Sequence, residues 1–273
     1  NNAVPARCPS HANRVREPEP MSDALPDGFT QFFLGQLDFD ELAAALDPAA
    51  PLQPARVSFL SRDRVRLLGV EGMALLGTVF DPSDPTVVGD WVLVDRSGDP
   101  PLVTRRLRRT GVLRRRKPTG GIQPVAANLD LALICTAMGG ELNVRRVERW
   151  LAVCAEADVS PLIVLNKADP GRDPTADVTA LQATGADVIA VSALHGTGIP
   201  QIRSRLMPGQ TATLLGSSGV GKSTLVNALL GVDAQATGRV RVGDDKGRHT
   251  TTARSLHAMP GNAFLIDNPG VRE

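Results

Sequence analysis

The chain has 273 residues, 42% of them apolar and only 3% aromatic, which is enough for two domains and a sizeable core. Its formal net charge is +1, so overall charge excludes nothing about partners and local clusters must be read instead. Cys8, Cys135 and Cys154 form neither a C-x-x-C pair nor an even framework, and no apolar run reaches the ~18 residues of a membrane span. A cytoplasmic protein with no membrane partner is expected.

The chain opens at Asn1, and its first twenty residues are rich in Pro, Arg and Asn with little apolar content. No secretory leader is visible there. Met21-Ser22-Asp23 reads as an alternative start, and residues 1–28 are expected to be disordered in either case. Asp38-x-x-Glu41 resembles an acidic capping box opening a short leader helix through Leu42, Ala43 and Leu46 that stops before Pro48. Residues 1–51 are thus read as an extension followed by a packing helix.

From Pro54 to about residue 115 the signal changes to short β segments: Arg56–Leu60, Arg64–Val70, Met73–Phe80, Asp90–Val94 and Pro101–Leu107. Asp63, Gly69, Gly72, Asp81-Pro82 and Ser97-Gly98-Asp99 punctuate them. Five short strands in this space predict a small closed barrel of the OB type over residues 52–117. Its end carries the one strong charge cluster, Arg105, Arg106, Arg108 and Arg109, then Arg114, Arg115, Arg116 and Lys117. Charge runs are usually solvated faces, but these follow a barrel type that often binds nucleic acid. The chain has no Tyr, and this region offers only Phe59, Phe80 and Trp91 for stacking. Structured RNA held through its backbone is therefore the expected partner.

Lys117-Pro118-Thr119-Gly120-Gly121 reads as a flexible junction, after which strand and helix alternate. Leu129–Ala137 has the character of a buried strand, and Asn143 can cap a helix whose Val147, Leu151 and Cys154 share a face. Pro161–Leu165, Asp187–Ser192, Thr211–Leu215 and Ala263–Ile266 follow as strands; Asp177–Thr184 and Ile199–Leu206 are the helices between them. The alternation predicts an α/β unit over residues 125–273, a mostly parallel sheet with helices on both faces. Ligands should bind at the carboxyl ends of its strands.

Gly216-Ser217-Ser218-Gly219-Val220-Gly221-Lys222-Ser223 matches the phosphate-cradling pattern G-x-x-x-x-G-K-[ST], after a strand and before a helix that stops at Gly231. Glycines let backbone N–H groups turn inward, and the helix that runs on through Thr224 points its positive end at the phosphates. Lys222 would reach the β- and γ-phosphates, and Ser223 would bind Mg²⁺. Asn166-Lys167-Ala168-Asp169, at the end of a strand, matches the guanine motif. The Asp169 carboxylate would accept from guanine N1–H and the 2-amino group, while Asn166 and Lys167 orient the loop and cover the base. Ser192-Ala193-Leu194 fits the companion base motif. Asp267-Asn268-Pro269-Gly270 has the D-x-x-G form, in which Asp267 holds Mg²⁺ through water and the Gly270 N–H senses the γ-phosphate. Between the phosphate motifs lies Gly247-Arg248-His249-Thr250-Thr251-Thr252, a switch-like segment in which one threonine, taken as Thr251, would complete the Mg²⁺ shell. Val271 stands where Ras-like enzymes carry a water-orienting glutamine. His249 either positions water in its place, with Lys222 as the other catalytic group, or merely packs or contacts RNA. The catalytic role draws its weight from the family resemblance below.

Asn166 precedes Gly216, so the base motif comes before the phosphate loop, and the predicted domain is a circularly permuted P-loop GTPase. Together with Val88-Gly89-Asp90-Trp91-Val92, Gly-Arg-His-Thr-Thr-Thr and Asp-x-Pro-Gly-Val-Arg-Glu, this order resembles the RsgA (YjeQ) family over roughly residues 52–273. The resemblance implies hydrolysis of GTP to GDP, stimulated by the small ribosomal subunit late in its assembly, with rRNA contacts from the barrel and a monomeric state. Two departures stand out. Asn268 replaces the family's usual threonine, at a position that is not a ligand. The sequence also stops at Glu273, whereas the resemblance implies a following zinc-binding domain with Cys and His ligands that nothing here supplies; either the sequence is a fragment or this version lacks that domain. A P-loop ATPase and a nucleotide-responsive RNA-binding module are the competing readings; the base and switch motifs speak against the first.

Overall fold

A computed structural model of the chain describes residues 52–61, 64–68, 73–76, 84–116, 120–139, 142–231 and 254–268. The expected extension and leader helix lie outside these residues. Five strands come first: β1 (Leu52–Ser61), β2 (Arg64–Leu68), β3 (Met73–Leu76), β4 (Trp91–Asp95) and β5 (Leu102–Arg106). β1 pairs with β2 and β2 with β3, all antiparallel; β3 runs parallel to β5, and β5 is antiparallel to β4. β4 then pairs back onto β1, so each of the five has two neighbours. β1 can serve both sides because it is long: Leu52 to Arg56 face β4, and Arg56 to Ser61 face β2. The period of two is visible in β2, where Val65 and Leu67 are buried and Arg64 and Arg66 exposed. Ala55, Val57, Val65, Leu67, Val92 and Val103 are among the side chains that fill the interior.

β6 (Leu113–Arg116) and β7 (Ile122–Ala126) then form a separate two-stranded antiparallel sheet. Of the expected junction, residues 117–119 lie outside the described residues, and Gly120 and Gly121 precede β7. β7 escapes pattern reading because Gln123 and Pro124 interrupt its apolar residues, and an isolated ribbon can accommodate a proline that a central strand could not.

The remaining strands are β8 (Leu131–Ala137), β9 (Ser160–Asn166), β10 (Val188–Ala190), β11 (Thr211–Gly216), β12 (Ser255–Ala258) and β13 (Phe264–Asp267). Their spatial order is β10-β9-β8-β11-β13-β12, parallel throughout except for β12, which runs antiparallel to β13. Sequence reading had placed no strand at β12. At its far edge β12 touches β1, pairing Ser255 with Phe59, so the five-strand unit continues the same sheet. The helices are α1 (Val144–Ala157), α2 (Thr175–Gln182), α3 (Ile199–Arg203) and α4 (Lys222–Leu230). Alternate strand residues sort them onto two faces. Ala132, Ile134, Ile163 and Leu165 share a cluster with Val147 and Trp150 of α1 and with Leu181 of α2. Leu133, Cys135, Leu162 and Val164 pack instead with Ile202 of α3 and Leu225 of α4. Strands buried on both faces explain why β8 and β9 read as continuous apolar runs.

The two parts meet at a buried arginine. Arg56 of β1 is fully buried, donating from Nε to Gly89 O (3.2 Å) and from Nη2 to Asn128 O (3.0 Å). Its guanidinium lies over the rings of Trp91 (4.9 Å) and Phe264 (5.4 Å), the latter on β13. Asn128 Nδ2 also donates to Gly89 O (2.8 Å). Gly89 has φ +93°, and a Cβ there would stand 2.2 Å from the Ala127 carbonyl, so the two backbones approach this closely only with glycine.

Candidate nucleotide site

The carboxyl ends of β9, β10, β11 and β13 lie along one rim of the sheet, and described loops follow the first three. The loop after β11 is the predicted phosphate loop. It turns at Gly216, Gly219 and Gly221, with φ of +131°, +87° and +91°. A Cβ on Gly216 would meet the Cys135 carbonyl of the neighbouring strand at 2.2 Å, and one on Gly221 would meet Asn166 Nδ2 at 2.4 Å. Space and backbone both demand glycine at these two positions. α4 begins at Lys222 directly after the turn, with Ser223 and Thr224 exposed in its first turn, so its free N–H groups face the loop's mouth. Gly231 closes the helix in the left-handed conformation the sequence anticipates.

Lys222 Nζ donates to Gly216 O at 2.7 Å and to Ser217 O, which folds the ammonium over the loop. Burial lowers its pKa, while Cys135 and Asp267 oppose that shift. Asp267, at the end of β13, is pushed the other way: burial raises its carboxyl pKa, and His257 and Lys222 pull it back. The half-buried Asp267 carboxylate at the end of β13 and the exposed Ser223 hydroxyl at the start of α4 are both hard oxygen donors of the kind Mg²⁺ takes. Asn268 is buried and turned inward, its Nδ2 donating to Thr213 Oγ1 (2.7 Å), which donates to Ile266 O (3.2 Å). It ties β13 to β11 and does not face the loop's mouth.

The base motif is built around Asn166, which is buried. Its Nδ2 donates to Val220 O of the phosphate loop (2.9 Å), and its Oδ1 accepts from Ala193 N (3.1 Å). One amide therefore locks three loops together, more than the loop-orienting role read from the sequence. Lys167 follows with φ +63°, a left-handed turn that lets Ala168 N donate to Val191 O at 3.0 Å. Asp169 accepts from Ser192 Oγ at 2.5 Å, and this hydroxyl, followed by the nearby His195 and Arg172, lowers the carboxyl's pKa against the opposing effect of desolvation. Asp169 is thus held ionised, with acceptor capacity to spare.

Of the arginine cluster, Arg106 and Arg109 are engaged within the fold. Arg109 is nearly buried; it grips Asp90 from Nε and Nη2 (2.6 Å each) and reaches Asp84 from Nη1 (2.6 Å). Arg106 pairs with the same Asp84. Arg105, Arg108, Arg114, Arg115 and Arg116 lie exposed, the last three on β6. Lys117, His249, Thr250–Thr252, Gly270 and Val271 lie outside the described residues.

Sequence reasoning missed three groups near the rim. Arg146 of α1 donates from Nη1 to Ser217 Oγ (2.9 Å), and its own N–H is capped by Asn143 Oδ1 (3.0 Å). His195 sits against Ser192, and His257 Nε2 lies 2.7 Å from Ser255 Oγ on the strand beside Asp267. The cap had a sequence signal; Arg146 and Ser217 lie far apart in the chain, while His195 and His257 each meet a serine two or three residues away, a contact that no sequence pattern marks. Among the described residues no group of three or more His, Cys, Asp or Glu side chains is placed to hold a metal, and no helix is long and apolar enough to cross a membrane.

A family model described as RsgA GTPase matches residues 106–273. A small ribosomal subunit biogenesis GTPase RsgA of Methanosarcina acetivorans is 47% identical over 193 residues, covering 68% of this chain and 52% of that protein. One of the same name from Mesorhizobium japonicum is 43% identical over 266 residues, covering 92% of this chain and 72% of its own length. The chain thus spans about half the length of the first relative and nearly three quarters of the second. The crystal structure of YjeQ from Thermotoga maritima superposes with a TM-score of 0.60 at 22% identity, covering 80% of this chain and 75% of that one, which speaks for the fold.

Proposed function

The chain belongs to the RsgA GTPase family, and from that premise we propose that it binds GTP with Mg²⁺ and hydrolyses it while acting on the small ribosomal subunit. The observation that carries this reading is the convergence of the base loops after β9 and β10 with the phosphate loop after β11 and the end of β13 on one rim, the three loops cross-tied by Asn166. The names of the relatives support the ribosomal partner. Asp169 accepts from the guanine edge, with Ser192 holding it in place and the backbone at Ala193 beside the base. Backbone N–H groups from Ser217 to Thr224 cradle the phosphates. Lys222 leaves the Gly216 and Ser217 carbonyls to neutralise charge on the β- and γ-phosphates. Ser223, Asp267 through water, and Thr251 would hold Mg²⁺, which supplies further charge neutralisation when bound. Water attacks the γ-phosphorus as the bond to the β–γ bridging oxygen breaks, giving GDP and phosphate. His249 orients that water, and Gly270 senses the γ-phosphate.

The ring of five strands over residues 52–117 serves as an OB-type RNA-binding unit, and residues 125–273 as a circularly permuted GTPase domain. The exposed arginines Arg105, Arg108, Arg114, Arg115 and Arg116, with Lys117, contact rRNA phosphates, while Arg106 and Arg109 hold the unit in shape. A cytoplasmic monomer fits this role. The test is GTP against ATP affinity, followed by GTP hydrolysis with and without purified small subunits. Selective GTP binding and a rate raised by the subunits are expected; equal affinity for ATP would overturn the nucleotide reading, and an unstimulated rate the ribosomal one.

A further inference from the structure

His195 lies in the turn between β10 and α3, immediately after the Ser192-Ala193-Leu194 base motif, and its side chain is 46% exposed. Ring Nδ1 stands 2.9 Å from Ser192 Oγ and 3.5 Å from Asp169 Oδ1. The backbone N–H of His195 also donates to Ser192 Oγ (3.2 Å). Proton counting settles the direction of this chain. Ser192 has one hydroxyl hydrogen, and an ionised carboxylate 2.5 Å away can only accept it. Ser192 Oγ is then an acceptor towards the imidazole, so Nδ1 carries hydrogen in the neutral ring. Nε2 is left as the nitrogen that takes up a proton. A relay results, from Nδ1–H to Oγ and from Oγ–H to Asp169 Oδ1.

We propose that His195 is a positioning residue for the guanine-recognition carboxylate, and that its protonation weakens guanine-nucleotide binding. The inference rests on the reading of Asp169 as the guanine acceptor. Neutral His195 steadies Ser192, and so Asp169, without drawing charge from either carboxylate oxygen. Once Nε2 is protonated, a cation stands 3.5 Å from the carboxylate and competes with guanine N1–H and the 2-amino group for the same oxygens. Besides His195, the guanidinium of Arg172, on the same loop as Asp169, also acts on this carboxylate. The pair is partly exposed, so screening limits the effect to about two- to fivefold in affinity.

The experiment measures the Kd of the full chain for a fluorescent GDP from about pH 8 to about pH 5.5. His195→Asn keeps an N–H donor for Ser192 and cannot be protonated; His195→Gln is a second such variant should the first fold poorly. Protonation of the GDP phosphate affects every protein alike and cancels in the ratio of parent to variant. The parent should lose about two- to fivefold more affinity than His195→Asn across this range, with the two equal near pH 8. By reciprocity, GDP binding near pH 6 should expel more protons from the parent than from the variant, read calorimetrically in two buffers. Parallel pH curves, or equal proton release, would overturn the role of His195 while leaving the guanine site intact. A parent that binds ATP and GDP equally at every pH would overturn both.

Discussion

Replacing Arg56 tests how the five-strand unit is joined to the sheet that carries the nucleotide site. Burial pushes its guanidinium pKa down to about 10 even though Asp130 and Asp90 raise it. At 1.36 kcal/mol per pKa unit, the charge costs roughly 3 kcal/mol to keep inside. Against this stand two charge-assisted bonds, to Gly89 O and Asn128 O, worth about 1.5–3 kcal/mol each. The contacts with the Trp91 and Phe264 rings add up to about 2 kcal/mol apiece where water is excluded. Arg56→Ala forfeits all of these, takes the donor from Asn128 O and opens a cavity, so a loss of about 3–5 kcal/mol is expected. Arg56→Met fills most of the space and sheds the cost of the buried charge, so about 1–2 kcal/mol is expected. The assay is urea unfolding of both variants beside the parent, with unchanged slope as the check that compactness is preserved. Equal losses in the two variants, or an alanine variant within 1 kcal/mol of the parent, would refute the argument that charge and packing oppose each other here.

Gly221→Ala should weaken GDP binding at least tenfold, because the methyl meets Asn166 Nδ2 at 2.4 Å in a strained turn and unlocks the base loop from the phosphate loop; retained affinity in a fluorescence titration would contradict this. Asp169→Asn should lose preference for guanine, since an amide cannot accept both base hydrogens, and GTP binding as tight as the parent's would show that another group reads the base. Changing Arg114, Arg115 and Arg116 together to glutamate should weaken small-subunit binding and flatten its salt dependence with GTP affinity unchanged; an unaltered slope would make this strand a solvated face. His249→Ala should bind GTP and the subunit normally yet lose most of the stimulated hydrolysis, and full stimulation would remove His249 from the mechanism.

Family and strand–helix alternation were both readable in the chain itself, because each rests on local pattern. The phosphate loop needs glycines at fixed spacing, and β8 and β9 declare their burial on both faces as unbroken apolar runs. Asn143 announced its cap and Gly231 its stop for the same reason. Strand β12 carried no such signal: it is a four-residue strand whose identity comes from pairing with β13 on one side and β1 on the other. The arginine run looked uniform in sequence, and only tertiary structure separated Arg109, clamped on the buried Asp90, from the exposed Arg114–Arg116. Arg56 and Arg146 were equally silent, since their partners lie on other strands or loops, and His195 matters through Asp169, which lies on a separate loop. Local rules determine what each loop is able to hold. Which loop holds which depends on contacts between residues distant in the chain, and those exist only once the sheet has brought its strand ends to one rim.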